Sequence, residues 1–414
     1  MKEILISALK EIKPSKEEEK EVKDSVTSIL NSINKNLKDA KAVLGGSGIK
    51  GTWLKKANDA DIFVKFDYKK YKERSGEISD LLEKILKKRN FKITRLHGSR
   101  DYFQIKESSI TLEIIPILDI KKSGEAENIT DVSPLHANWV KKKGKNLEDD
   151  IRLLKQFCRS ANVYGAESYI HGFSGYICEI LTIYYKGFEN VIRNAARWGD
   201  KVVIDAESHW KGKDVMMELN KSKTYSPLVI IDPVHAERNA AASISTEKFE
   251  LFKEKAKRFL KGPSKDFFEM KELNEEMLKK KAKGNTLVLI DVMPKKGKED
   301  VIGCKLIKAL GFINKKLKEN DFKVMDYGWK WNGKALFYFM IKKEELSGYI
   351  EREGPPLKAE QHVLNFKKKY GKTFIKEGRI YSKVKRRFRN PEELIKSLKK
   401  EDYLKEKISG FVMR

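Results

Sequence analysis

Cysteine is nearly absent from this 414-residue chain. Cys158, Cys178 and Cys304 stand far apart with no CxxC spacing, which argues against a disulfide scaffold and against a structural zinc site. Long apolar runs are missing too, so no segment reads as a membrane span. The opening MKEILISALKEIKPSKEEEKEV carries a charge every few positions and lacks the apolar region of a signal peptide, so a cytoplasmic protein with no membrane partner is expected. Neither a Walker A sequence nor a kinase glycine-rich loop occurs, which removes those routes to phosphoryl transfer. Negative charge is in deficit: 60 Asp+Glu face 87 Lys+Arg, a net charge of +27. Such an excess predicts a polyanionic partner, nucleic acid first, with thermophile-like lysine enrichment as the competing explanation. A hydrophobic content of 40% argues against a disordered basic tail.

What is present divides into blocks. Val22, Val26, Ile29 and Ile33 recur at helical spacing behind Ser15, an N-cap candidate. A glycine-rich turn and a strand around Ala60–Phe66 follow, then a helix over 78–89 and strands at Phe91–Thr94, Tyr102–Lys106 and Ser109–Ile117. Beyond Leu147 the pattern turns helical, through IRLLKQFC and GFSGYICEILTIYYKGFENVIRNAARWGD, with Ser174 near one cap and Gly187 at the break. PLVIIDPVHAERNAAASIS reads as a short apolar run, a proline turn and a helix start. The last third predicts a strand at 285–294, a helix at 299–319 and a hairpin turning at Asn332-Gly333, a βαββ order common in RNA-binding modules. The expected fold is multi-domain: α/β over 1–140, helical over 141–256, and α+β over 257–414.

Within GGSGIKGTWLKKANDADIFVKF (45–66), Asp59 and Asp61 share one face of a strand while Ala60 and Ile62 take the other. Two such carboxylates repel unless a cation sits between them, and an oxygen-seeking divalent ion such as Mg²⁺ resolves the conflict. Glu113, the lone charge in the apolar run ITLEIIPIL, is the candidate third ligand; alone it would read as a residue on a wet strand face. Gly46 allows close backbone approach to a ligand, while Ser47 and Lys50 offer a hydroxyl and a cation for phosphate. Three carboxylates, metal ions and a triphosphate describe in-line nucleotidyl transfer.

GGSGIKGTWL…DAD resembles the polymerase β-type nucleotidyltransferases. LEIIP, SPLHANWV, IRLLKQF…VYGAE, GFSGYICEIL, DPVHAERNAAASIS, EREGPPL and GRIYSKVKRRF follow in order. They narrow the resemblance to the archaeal class I CCA-adding enzymes, over essentially the whole chain. That resemblance implies stepwise addition of C, C and A to the tRNA 3′ end from CTP and ATP with Mg²⁺. It implies metal binding by Asp59, Asp61 and Glu113, and nucleotide binding by Gly46, Ser47, Lys50, His136, Lys155, Tyr164 and Arg238. It also sets His97 where the family contacts nucleotide or primer end. Lys50 stands where many members carry arginine, and Glu113 where many carry aspartate. Taken alone, Lys155 fits a solvated helix face, Tyr164 a plugged turn, and Arg238 a partner for Asp232.

In GRIYSKVKRRFR, Ile380, Val384 and Phe388 share one strand face, and Lys383, Lys385 and Arg387 the other, with Arg386 near the strand's end. This cluster is expected to track the phosphates of the tRNA acceptor arm; a lysine-guarded edge strand is the alternative. A homodimer is compatible with the sequence. Other readings are a poly(A)- or oligoadenylate-type transferase and a non-catalytic tRNA-binding protein.

Overall fold

In the computed structural model, residues 1–55, 59–88, 90–107, 110–270 and 273–414 are described, Glu107 by its backbone alone. The expected strand start at Ser109 lies outside the described residues. The chain divides into two units, Met1–Lys271 and Glu272–Arg414.

The alternation of Ala60, Ile62, Val64 and Phe66 builds the first sheet. Strands β1 (Ala40–Leu44), β2 (Asp59–Phe66), β3 (Ile93–Leu96), β4 (Tyr102–Glu107) and β5 (Ile110–Leu118) lie in the order β1-β2-β5-β4-β3. Only β2 and β5 run parallel, and Asp61 sits directly opposite Glu113. The face that carries Ile62, Leu112 and Ile114 packs on two helices. One is Lys16–Asn34, which offers Val26, Ile29 and Ile33; the other is Ile78–Lys88, which offers Ile78, Leu82 and Leu86. Ser15 closes a capping box with Glu18, as its position predicts.

A second core forms around helices Glu148–Ser160, Gly175–Tyr185, Phe188–Ala195 and Thr246–Lys261, joined by the first helix, Lys2–Ile12. Ser174 caps Gly175–Tyr185, and Gly187 (φ +126°) separates it from the next helix. Cys158 and Cys178 face each other across this packing as free thiols with their sulfurs 3.9 Å apart, so the wide sequence spacing concealed a contact.

The segment 228–239 corrects the expectation of a helix start. Strands β6 (Val202–Asp205), β7 (Leu228–Asp232) and β8 (His235–Asn239) form a small sheet in that order. HAERN is extended because it pairs back antiparallel on β7, although Ala, Glu and Arg favour helix.

In the second unit, β9 (Thr286–Pro294), the helix Glu299–Glu319, β10 (Val324–Asn332) and β11 (Lys334–Ile341) follow the predicted βαββ order. Gly333 turns the hairpin at φ +71°. A second sheet holds β12 (Tyr349–Pro356), β13 (Thr373–Lys376) and β14 (Arg379–Lys385) in the order β12-β14-β13, and β15 (Ile408–Met413) returns to pair with β9. The basic strand β14 is therefore central, which excludes the edge-strand reading. It ends at Lys385, so Arg386, Arg387 and Phe388 lie past the strand, and Ser382 stands between Ile380 and Val384 on the inward face.

Candidate active site

Asp59, Asp61 and Glu113 occupy the face of the first sheet opposite the packed helices. Asp59 is exposed; Asp61 and Glu113 are half-buried. Glu113 Oε1 accepts a hydrogen bond from Gln104 Nε2 at 3.0 Å, from the adjoining β4. Burial first, then the charge of Glu113, raises the Asp61 carboxyl to about 6; Lys50 pulls it down and Asp59 adds to the rise. Among the described residues no three such side chains converge on a single point. The donor set nonetheless fits a divalent cation, because three carboxylates share one face on adjacent strands, where burial and the neighbouring carboxylates oppose the ionisation of Asp61.

The glycines explain how the turn at 45–51 meets these acids. Gly45 N–H donates to the Asp61 carbonyl at 2.7 Å. Gly46 adopts φ +54°, and a Cβ there would fall 1.6 Å from Asp61 Oδ2. Only glycine lets the Ser47 turn lie directly on the carboxylate.

Lys50 and Lys155 come together on a residue the sequence reasoning did not single out. Glu179, fully buried in the helix Gly175–Tyr185, accepts from Lys50 Nζ at 2.7 Å through Oε2. Its Oε1 accepts from Lys155 Nζ at 2.8 Å and Thr52 Oγ1 at 2.9 Å. Burial alone would raise the Glu179 carboxyl, but Lys155 and Lys50 hold it at about 2. Burial lowers the Lys155 ammonium. Lys155 is thus buried rather than on a solvated helix face. The Tyr164 hydroxyl and Lys155 both lie against Gly175 at the start of that helix, and burial raises the phenol.

A second buried carboxylate, Asp232 at the end of β7, collects the other candidates. Its Oδ2 lies 2.9 Å from His136 Nε2 and accepts from Arg238 Nη1 at 2.5 Å. Its Oδ1 accepts from Tyr176 Oη at 3.1 Å and Val234 N at 3.0 Å. The His136 and Tyr176 rings pack 4.2 Å apart. Burial opposes ionisation of Asp232, yet its partners, His136 foremost, hold it at about 2. His97 stays apart from these groups, exposed and 2.9 Å from Asp101.

In the second unit Lys383, Lys385 and Arg387 are exposed. Arg386 differs: its guanidinium is nearly buried and donates to Asp321 Oδ2 at 2.6 Å and the Ser347 carbonyl at 2.9 Å, a structural tie.

Known proteins match the chain along its length. A family model described as "Nucleotidyltransferase domain" covers residues 26–123, "tRNA nucleotidyltransferase, second domain" covers 149–269, and "CCA-adding enzyme, C-terminal domain" covers 283–408. The CCA-adding enzyme of Nanoarchaeum equitans is 38% identical over 379 residues, 91% of each chain. Those of Saccharolobus shibatae and Methanocaldococcus jannaschii are each 30% identical, over 94% and 96% of this chain and 90% of their own. A solved structure of the Cid1 poly(U) polymerase bound to MgATP aligns with a TM-score of 0.52 at 16% identity, covering 65% of this chain and 98% of that one, a likeness of fold alone.

Proposed function

The chain belongs to the CCA-adding enzymes, template-independent nucleotidyltransferases, and from that premise we propose how its residues divide the work. It adds C, C and A to the 3′ end of tRNA, taking CTP and ATP as substrates. The terminal hydroxyl of the tRNA attacks the α-phosphorus of the nucleotide, the new phosphodiester forms, and pyrophosphate leaves. Divalent cations, Mg²⁺ in our reading, bound by Asp59, Asp61 and Glu113 would acidify that hydroxyl and offset the charge that develops on the phosphate.

This chain's own groups do the rest. Gly46 and Ser47 bring backbone and hydroxyl donors against the acids. Lys50, Lys155 and Tyr164 hold the triphosphate, and Arg238 and His136, both anchored on Asp232, face the base. Lys383, Lys385 and Arg387 follow phosphates of the acceptor arm, with His97 near the primer end. We place catalysis in residues 1–140, nucleotide closure in the second core that follows, through the helix Thr246–Lys261, and tRNA holding in Glu272–Arg414, in a cytoplasmic enzyme. Among the described residues no helix is long and apolar enough to cross a membrane.

The observation that carries the site assignment is the flush parallel pairing of Asp61 with Glu113 beneath Gly46. Its test is the incubation of tRNA ending at the discriminator base with CTP, ATP and Mg²⁺. Asp59→Ala and Asp61→Ala should each abolish incorporation while leaving tRNA binding nearly intact. Normal extension by either variant would overturn the metal assignment, and extension with ATP alone would favour a poly(A)-type activity.

A further inference from the structure

Glu179 is the one acid in the apolar run Ile-Cys-Glu-Ile-Leu, and its four neighbours there are buried as completely as it is. An ionised carboxylate in such a place is destabilising unless both oxygens are satisfied by cations. Here they are: Oε2 takes Lys50, and Oε1 takes Lys155 and the Thr52 hydroxyl. Lys50 and Thr52 belong to the turn that lies on Asp61, whereas Lys155 and Glu179 belong to two packed helices of the second core. The same junction is bonded a second time, where Arg152 Nε donates to the Trp53 carbonyl at 2.9 Å. One carboxylate therefore fixes the spacing of two ammonium groups and ties the turn at 46–52 to the helices.

We propose that Glu179 is a positioning residue for nucleotidyl transfer, holding Lys50 and Lys155 side by side so that a triphosphate meets both at once, in register with Asp61. The proposal rests on the reading of those lysines as triphosphate ligands. Two ammonium groups share a single buried acid, so Glu179 neutralises only one of them, and Lys50 also faces Asp61. Both ammonium groups therefore stay available to a polyphosphate that approaches the acids. Lys155 faces Glu179, Lys50, Cys178, the Tyr164 hydroxyl and the hydroxyl and carbonyl of Thr52, and of these Glu179 does most to counter the burial that favours its neutral form. Without the acid, Lys155 loses its proton at lower pH and its grip on the phosphates with it.

The experiment compares Glu179→Gln, Glu179→Asp and Lys155→Ala with the intact protein, measuring steady-state incorporation of CTP into tRNA across pH, with tRNA affinity alongside. Glu179→Gln should raise the KM for CTP by about tenfold or more, the loss of one charge-assisted contact. It should leave tRNA affinity unchanged and move the alkaline limb of kcat/KM to lower pH; Glu179→Asp should restore part of both. A KM within about twofold of the parent and an unmoved alkaline limb, with Lys155→Ala raising KM, would overturn the positioning role alone. An unchanged KM in Lys155→Ala would overturn the triphosphate reading, and the proposal with it. Should Glu179→Gln fail to fold, Thr52→Val keeps every charge and removes the hydroxyl that donates to Glu179 and accepts from Lys155; a KM rise of roughly fivefold together with an alkaline limb moved to lower pH supports the proposal, and no rise or an unmoved limb overturns it.

Discussion

Replacing Gly46 by alanine should abolish most activity through a single added methyl group. The new Cβ would stand 1.6 Å from Asp61 Oδ2, where real contacts keep at least 3.0 Å, so the carboxylate or the turn must retreat by well over an ångström. A misplacement of about 1 Å at a reacting centre costs on the order of 100-fold in rate, about 2.7 kcal/mol of barrier. The left-handed backbone at φ +54° adds about 1–2 kcal/mol of folding cost for any residue with a Cβ. These two effects are separable, because Gly51 offers the matching control. It also sits at positive φ, +63°, but its added Cβ would meet nothing within 4 Å. Gly51→Ala should therefore lose a similar amount of thermal stability and keep nearly full CTP incorporation. Gly46→Ala should lose at least that much stability and, in addition, about two orders of magnitude in incorporation rate. Incorporation by Gly46→Ala within about threefold of the parent, or an equal loss in Gly51→Ala, would refute the claim that the glycine exists to admit Asp61.

Asp232→Asn should loosen Arg238, His136 and Tyr176 together, and is expected to weaken the preference for CTP and ATP over GTP and UTP in competition assays. The same variant has an acid signature. Asp232 sits at about 2 in the fold against 3.8 otherwise, so its stabilisation, on the order of 2 kcal/mol, is complete above about pH 4 and lost as pH falls towards 2. Chemical denaturation of the parent should therefore steepen in that window and that of the variant should not. Lys385→Ala should weaken tRNA binding, reduce the salt slope by about 1 and leave the melting temperature unchanged. Arg386→Ala should instead lower the melting temperature, since its guanidinium bonds Asp321 and the Ser347 carbonyl.

Local chemistry made much of the fold readable. The helix 299–319 appears with the bounds its periodicity predicts, and the Ser15 cap, the Gly187 break and the Asn332-Gly333 turn fall where residue chemistry sets them. The acids on β2 and β5 were readable because strand alternation places side chains without knowledge of the partner strand. Pairing over long separations was not. HAERN became a strand only by lying against β7, and β14 became central only because β12 and β13 flank it. Glu179 was missed as an anchor because its cations lie 24 and 129 residues away; Asp232 was legible as a partner for the nearby Arg238, but its contact with His136, 96 residues away, was not. Yet the signal that singled out Glu113, one charge in an apolar run, is equally present at Glu179.

The register of β2 on β5 ties correct folding to competence. Side chains alternate across a strand, so a slip by one residue would drive Asp61 into the helix-packed core and turn Ile62 towards water. A one-residue slip of β2 leaves neither Asp59 nor Asp61 on the catalytic face. A molecule slipped in that way should therefore be inactive rather than impaired, so that such misfolding lowers the number of active molecules and leaves the KM of the others unchanged.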